Sequence, residues 1–131
     1  MLDAHAAAGV EPGDIDALVA HATGTPKGDT AEIRALNRVF AGTDVVVTGI
    51  KGHTGHTGAG SGAMSIIAGI RAIESGRLPA IAGTTQLDPE IEFDAAIGEP
   101  RELAVDVFQV NSFGFGGQNA SVVVGRDPGA A

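Results

Sequence analysis

The chain has 131 residues, the size of one domain, and 44% of them are hydrophobic, which is enough for a small core. Its formal net charge of -8, without a basic stripe, argues against binding to nucleic acid or to an anionic membrane surface. The sequence contains no cysteine, which excludes disulfide bonds, a thiolate metal site and a cysteine nucleophile from this chain. Neither a signal peptide nor a membrane-spanning run is visible, so we expect a cytoplasmic protein or a piece of one.

The first third of the chain alternates between helix and strand. A helix over Leu2 to Ala8 ends at Gly9, and a short apolar strand follows over Ala17 to Ala20. Asp29 and Glu32 have the spacing of a capping box, which predicts that the second helix begins near Asp29. Apolar residues on one helical face support this second helix.

The middle of the chain predicts a covered strand that leads into a buried helix. Val45 to Ile50 is a near-continuous apolar run, as expected for a strand covered on both faces. The helix from about Gly58 to Ser75 is apolar or small nearly all round, so we expect it to lie between layers. Gly76 closes this helix and Pro79 prevents its continuation.

The last third predicts a connection followed by two strands. Ala80 to Arg101 carries weak signals, and we expect it to cross the surface as a long connection. An alternating strand from Val105 to Asn111 and a valine-rich strand from Asn119 to Gly125 are joined by the turn Gly114 to Gly117. The whole order is that of a layered α/β domain.

Basic side chains follow both of the first two predicted strands. His21 ends the first strand, and Lys51 and His56 follow the second. In an open α/β sheet, ligands gather beyond the carboxyl ends of the strands, where two imidazoles can donate hydrogen bonds to an oxygen that becomes negative. Since His56 lies near a predicted helix N-terminus, we expect a neutral ring near pH 7. The alternative is that each is a hydrogen-bonded structural histidine.

Other motifs near these residues fit known sites poorly. His53, His56 and His21 could be metal ligands, but no carboxylate is close in sequence, so we predict no metal site. The glycines from Gly58 to Gly62 depart from the dinucleotide-binding spacing, and we interpret them as allowing close backbone approach to a buried helix. Lys27 lacks the flanking residues of a P-loop.

The segment Gly114-Phe115-Gly116-Gly117 has three glycines in four residues. Such a loop allows unusual dihedral angles and can point amides into one concavity that holds an oxyanion. Phe115 is a large apolar side chain on a flexible loop and is suited to gating a pocket. The alternative is a simple glycine-rich hairpin with a buried Phe.

Three ordered segments resemble the C-terminal half of a β-ketoacyl-acyl-carrier-protein synthase of the thiolase superfamily. They are HATGTP from His21 with Gly28-Asp29, Lys51 followed by Gly55-His56, and NSFGFGG from Asn111 followed by Asn119. The resemblance covers nearly the whole chain. It implies one domain over residues 1–131, with a thiolase-like fold that is one half of a layered α/β/α/β/α arrangement.

The resemblance also implies a chemistry. In the family, an acyl chain rides on a cysteine of the N-terminal half, and a malonyl group on a carrier protein loses carbon dioxide and attacks the acyl thioester. By resemblance, His21 and His56 stabilise the enolate and Lys51 organises the second histidine. The amide of Phe115 would share the acyl oxyanion hole, and its ring would gate the acyl site.

Partners follow from the same resemblance. Thr23 and Thr25 would hydrogen-bond the phosphopantetheine arm of an acyl carrier protein, which is a substrate carrier, and no other cofactor is implied. The chain would need a cysteine-bearing N-terminal half, in the same longer chain or in a separate subunit, and we expect a homodimer. Two other functions stay open: a non-catalytic partner such as a chain-length-determining subunit, and a binding module for carrier-protein or coenzyme A arms.

Three features depart from the family pattern. The nucleophilic cysteine is absent. Ser65 stands nine residues after the second histidine, where many relatives carry Glu, and Gln118 stands where Thr is common.

The segment from Leu87 to Ile91, with Gly98 to Arg101, is most similar to actinobacterial elongating synthases, including those that serve mycolic acid synthesis.

Overall fold

The fold is built on one five-stranded sheet with helices on both faces. A computed structural model describes residues 1–127 and 129. Its helices are α1 (Leu2–Ala8), α2 (Pro26–Val39), α3 (Lys51–Thr54) and α4 (Ser61–Ser75), with 3-10 turns at Pro12–Asp14, Gly58–Gly60 and Phe115–Gly117. Its strands are β1 (Ala17–Val19), β2 (Val46–Thr48), β3 (Arg77–Leu78), β4 (Asp94–Ala95), β5 (Arg101–Glu102), β6 (Val107–Phe113) and β7 (Asn119–Gly125).

Strand β1 is the centre of the sheet. The strand order is β4-β2-β1-β6-β7, and β3 and β5 form a separate two-stranded sheet. β1 pairs in parallel with both β2 and β6, so that Leu18 lies beside Val47 on one side and Gln109 on the other. β7 runs antiparallel to β6. The carboxyl ends of β1, β2 and β6 therefore meet at one edge of the sheet.

Alternate residues of the central strand fill two separate cores. Ala17 and Val19 pack on the α4 side with Phe108 of β6, whereas Leu18 packs on the α1–α2 side with Leu36. This alternation follows from the twofold period of a strand. It explains why the strands at the centre of the sheet are apolar at nearly every position, and it confirms that β2 is covered on both faces.

Helix α2 begins earlier than the sequence indicates. Its N-cap is Thr25 and Pro26 occupies the first turn, where a missing amide hydrogen costs nothing. The capping box predicted at Asp29 and Glu32 is therefore wrong. Asp29 accepts a hydrogen bond from the Gly24 amide at 3.2 Å, and Glu32 turns into the protein interior.

Helix α4 lies against the sheet through small residues. Ser61, Ser65, Gly69 and Ala72 form the buried side. A Cβ atom on Gly69 would lie 2.1 Å from the Phe108 ring, so only glycine permits this approach. The opposite side is open, with Ile67 59% and Ile70 39% exposed. The expectation that α4 is buried between layers is thus met on one side within this chain.

The connection from residue 80 to 101 is more structured than expected. It contains β4, which extends the main sheet beside β2, and it ends in β5, which pairs with β3. Arg34 of α2 holds the connection through an ion pair with Glu90 at 2.9 Å. Among the residues described, no helix has the length and apolar character needed to cross a membrane.

Candidate active site

The candidate residues lie at the edge of the sheet where the carboxyl ends of β1, β2 and β6 meet, which we call the histidine edge. His21 follows β1, Lys51 begins α3 three residues after the end of β2, and Phe113 ends β6. The rings of His21 and His56 lie 5.6 Å apart between centroids, at 86° to each other. The Phe113 ring also lies 5.6 Å from the His21 ring between centroids. The edge therefore carries two imidazoles in edge-to-face contact.

The hydrogen bonds of His56 fix which nitrogen faces outward. The Gly58 amide donates to Nδ1 of His56 at 3.1 Å, and the Ser61 hydroxyl lies 3.0 Å from the same nitrogen. Because Nδ1 accepts a hydrogen bond from an N–H group, it carries no proton itself. A neutral ring then has its proton on Nε2, which is free to donate to a ligand.

His21 sits in a setting that keeps its ring neutral. Burial is the largest cause that lowers the pKa of His21, and the positive charge of Lys51 and the nearby His56 lower it further, while Asp29 opposes them. Its Nδ1 atom is buried without a hydrogen-bond partner among the described residues. An uncharged imidazole is a hydrogen-bond donor or acceptor but adds no fixed charge to the edge.

Lys51 holds the backbone next to the first histidine. Its ammonium group donates to the main-chain carbonyl of His21. Burial lowers the pKa of Lys51, whereas Glu32 and Asp29 raise it. A cation at this position both anchors the strand end and disfavours a second positive charge on the imidazole.

Glu32 is a functional residue that the sequence reasoning missed. Its side chain is 5% exposed, and its two oxygens accept the amide hydrogens of His21 at 2.9 Å and Ala22 at 2.8 Å. Ala22 has φ of 36°, and this clamp holds it in that left-handed conformation. Burial raises the pKa of Glu32, and the bonds from Ala22 and His21 oppose that rise.

The sequence carried a signal for Glu32. It lies four residues before Leu36 on the apolar face of α2, where an unpaired carboxylate would be costly. A charged residue on a buried helical face needs partners. Here the partners are the amides at the end of the central strand.

The glycine loop directly follows Phe113, the residue whose ring lies beside His21. The side chain of Phe115 is fully exposed, so the alternative of a buried Phe is wrong, and the aromatic ring beside His21 belongs to Phe113. Gly116 and Gly117 have φ of 79° and 80°, which explains the need for glycine at both positions. The Gly114 amide donates to the Gln118 carbonyl at 2.7 Å and closes the loop.

The remaining candidates lie around the edge. The hydroxyl oxygens of Thr23 and Thr25 are 3.2 Å apart at the start of α2. His53 turns away, with Nε2 donating to the Ala80 carbonyl at 2.8 Å. Within the described part of the chain, no three His, Cys, Asp or Glu side chains come close enough to share a metal ion.

Comparison with known families identifies the fold. Residues 1–85 match the model of the family described as "Beta-ketoacyl synthase, C-terminal domain". The chain belongs to this family. The α/β class and the thiolase-like half predicted from the resemblance are confirmed, because the solved structures that it matches are ketosynthases.

Individual relatives agree with this membership. The chain is 42% identical over 119 residues to 3-oxoacyl-acyl-carrier-protein synthase 2 of Mycobacterium tuberculosis, covering 91% of this chain and 28% of the relative. It is 35% identical over 133 residues to the highly reducing polyketide synthase anuA of Penicillium roqueforti, covering 92% of this chain and 6% of that protein. The solved ishigamide ketosynthase/chain length factor matches with a TM-score of 0.84 and 33% identity, over 92% of this chain and 30% of that one.

Proposed function

We propose that this chain is the histidine-bearing half of a β-ketoacyl-acyl-carrier-protein synthase. The reaction is the decarboxylative condensation of a malonyl thioester with an acyl thioester, in fatty acid or polyketide synthesis. The observation that carries the proposal is the pairing of His21 and His56, 5.6 Å apart at the sheet edge where Lys51 also lies. The chain spans 28% of the length of its mycobacterial relative, so the complete reaction needs residues from elsewhere.

The histidine pair is suited to the decarboxylation step. When the malonyl C–C bond breaks, its electron pair forms an enolate and the thioester oxygen becomes negative. The Nε2 proton of His56 and a neutral His21 donate hydrogen bonds to that oxygen. Neutral donors aimed at developing charge accelerate such a step without transferring a proton.

The step that forms the new C–C bond needs a cysteine, which this chain does not contain. The enolate carbon attacks the acyl carbonyl on a cysteine thioester, a C–C bond forms, and the cysteine thiolate leaves. This chain has no cysteine, so we infer that it is inactive alone. The amide of Phe115 would donate to the acyl oxyanion, and the fully exposed Phe115 ring is free to gate the acyl site.

The remaining roles concern partners. Lys51 organises the histidines by holding the His21 carbonyl. The paired hydroxyls of Thr23 and Thr25 would bind the phosphopantetheine arm of an acyl carrier protein. The exposed Ile67 and Ile70 on α4 would pack against the cysteine-bearing half, and a cytoplasmic homodimer of the completed enzyme fits the proposal.

A second function has its own support. The structural match to the ishigamide ketosynthase/chain length factor favours, as runner-up, a chain-length-determining partner that does no chemistry. The intact His21, Lys51 and His56 argue for the condensing role, because an idle subunit does not need them.

Reconstitution separates these functions. Carbon dioxide release from a malonyl thioester is measured with this chain alone, with a cysteine-bearing N-terminal half alone, and with both together. Activity in the mixture only, lost in His56→Ala, supports the condensing enzyme. A stable mixture that stays inactive points to the chain-length subunit. Binding of a carrier protein by this chain alone, without activity in the mixture, points to a binding module.

A further inference from the structure

A line of buried polar side chains runs from helix α1 to the histidine edge. His5 of α1 is 3% exposed, and its Nε2 lies 2.5 Å from Oε1 of Gln109. The Gln109 amide nitrogen donates to Oδ1 of Asn111 at 2.7 Å. Because the carboxamide oxygen of Gln109 is the acceptor, Nε2 of His5 carries the proton. The direction of both hydrogen bonds is therefore fixed.

The line continues to the backbone of the first histidine. The Asn111 amide nitrogen donates to Oε1 of Glu32 at 3.3 Å, and that same oxygen accepts the His21 amide hydrogen. Ser121, directly opposite Asn111 on β7, donates to Oδ1 of Asn111 at 2.9 Å. Two donors thus hold the Asn111 oxygen, which leaves its nitrogen aimed at Glu32.

Strand geometry makes this line possible. Gln109 and Asn111 are two residues apart on β6 and share the sheet face covered by α1 and α2. Phe108 and Val110, which alternate with them, belong to the apolar core under α4. Polar side chains in a core lose free energy unless every partner is present. The hydrogen bonds between these side chains favour one arrangement of the groups they join, while Nδ1 of His5 has no hydrogen-bond partner among the described residues.

We propose that His5 and Gln109 are positioning residues for the histidine edge. They fix the orientation of Asn111, and through Asn111 the carboxylate of Glu32 that clamps the amides of His21 and Ala22. Both side chains are buried, so they act through Asn111 and Glu32. The importance of His21 rests on the proposed function. The relay, by which we mean the hydrogen-bonded line from His5 through Gln109 and Asn111 to Glu32, consists only of contacts within this chain.

Hydrogen exchange of backbone amides measured by NMR tests the relay without any turnover. In Gln109→Met, which keeps the length of the side chain, the His21 and Ala22 amides should exchange about tenfold faster than in the wild type. The Ala96 amide, which donates to the Val47 carbonyl at 2.9 Å, is the internal reference. Its exchange rate should change only as far as the global free energy of unfolding changes. Equal acceleration of all three amides would overturn the proposal.

Two further variants separate positioning from general stability. Thr48→Val removes a partly buried hydrogen bond to the Pro79 carbonyl outside the relay, and should leave exchange at the His21 amide no faster than at the reference amide. His5→Gln keeps a donor and should preserve slow exchange, whereas His5→Leu should not. Fast exchange at His21 in both His5 variants, or in neither, would contradict the relay.

The wild-type chain supplies a measurement that needs no variant. The carboxamide protons of Asn111 should exchange far more slowly than those of the exposed Asn119, because both oxygen and nitrogen of Asn111 are bonded inside the protein. Equal rates would overturn the relay. These experiments use no cysteine, carrier protein or substrate, so a chain without condensing activity can still show the relay. If the exchange data contradict the relay, the role of the histidine pair is still tested separately by decarboxylation.

Discussion

At the scale of single residues, burial first and the charge of Lys51 second keep the His21 ring uncharged. Lys51 lowers the pKa of His21, after burial, which is the larger cause. We expect Lys51→Met to raise the pKa of His21 towards its ordinary value near 6.5 without reaching it, because burial remains. Lys27→Met, the other lysine and an exposed one, is the control. Ring nitrogen shifts followed against pH measure the change, and an unaltered His21 titration in Lys51→Met would contradict the electrostatic account.

The same shift makes stability depend on pH. The folded chain holds the pKa of His21 below its unfolded value, so the unfolded chain binds that proton more readily. The free energy of unfolding should therefore fall as the pH drops from about 6.5 through the lowered pKa. Urea unfolding between about pH 7.5 and pH 5 should show a shallower loss in His21→Gln than in the wild type. The same slope in both proteins would argue against a neutral, buried His21.

At the scale of elements, the fit of α4 to the sheet depends on one glycine. A Cβ atom at position 69 would lie 2.1 Å from the Phe108 ring, so Gly69→Ala must push the helix or the ring away. We expect a loss of roughly 1–3 kcal/mol in the free energy of unfolding, the usual cost of overpacking. Gly62→Ala on the same helix meets nothing within 4 Å and should be neutral or slightly stabilising. Equal denaturation midpoints for the two variants would contradict the packing described for α4.

Sequence patterns located the elements better than their ends and partners. Gly9 correctly ended α1, and the apolar run before Lys51 correctly predicted a covered strand. The predicted start of α2 is wrong because Asp29 and Glu32 match a capping box only in their spacing. Glu32 is instead buried against the end of β1, and this tertiary contact is not visible in the spacing. β4 was missed since two residues leave no periodicity to detect.

The candidate site shows the same limit. Periodicity and order along the chain indicated which strands carry His21, Lys51 and His56, and parallel pairing brings their ends together. Nothing in the sequence distinguishes the ring of Phe113 from that of Phe115 as the neighbour of His21. The Phe115 side chain is exposed instead, and the loop that carries it closes through Gly116 and Gly117 at positive φ, which spacing along the chain does not report.

At the scale of the whole molecule, the exposed apolar side of α4 is the feature that favours contact with a partner. Ile67 and Ile70 are exposed on the helix that lies over the centre of the sheet. We expect Ile67→Asp to abolish co-elution with a cysteine-bearing N-terminal half in size-exclusion chromatography, because a carboxylate cannot be buried unpaired in an apolar contact. Leu2→Asp, at an exposed leucine on α1, is the matched control and should leave co-elution unchanged. Loss of co-elution in neither variant would place the partner elsewhere.

In the proposed reaction, two neutral imidazoles, those of His21 and His56, share one developing negative charge. Carbon dioxide release from a malonyl thioester by the reconstituted enzyme tests it most directly, with His56→Ala compared with His53→Ala. His53 is an exposed histidine three residues away whose ring is turned to the Ala80 carbonyl. We expect a loss of about 100-fold or more in His56→Ala, the usual effect of removing a donor to a developing oxyanion, and little change in His53→Ala. Equal rates for the two variants would contradict the account.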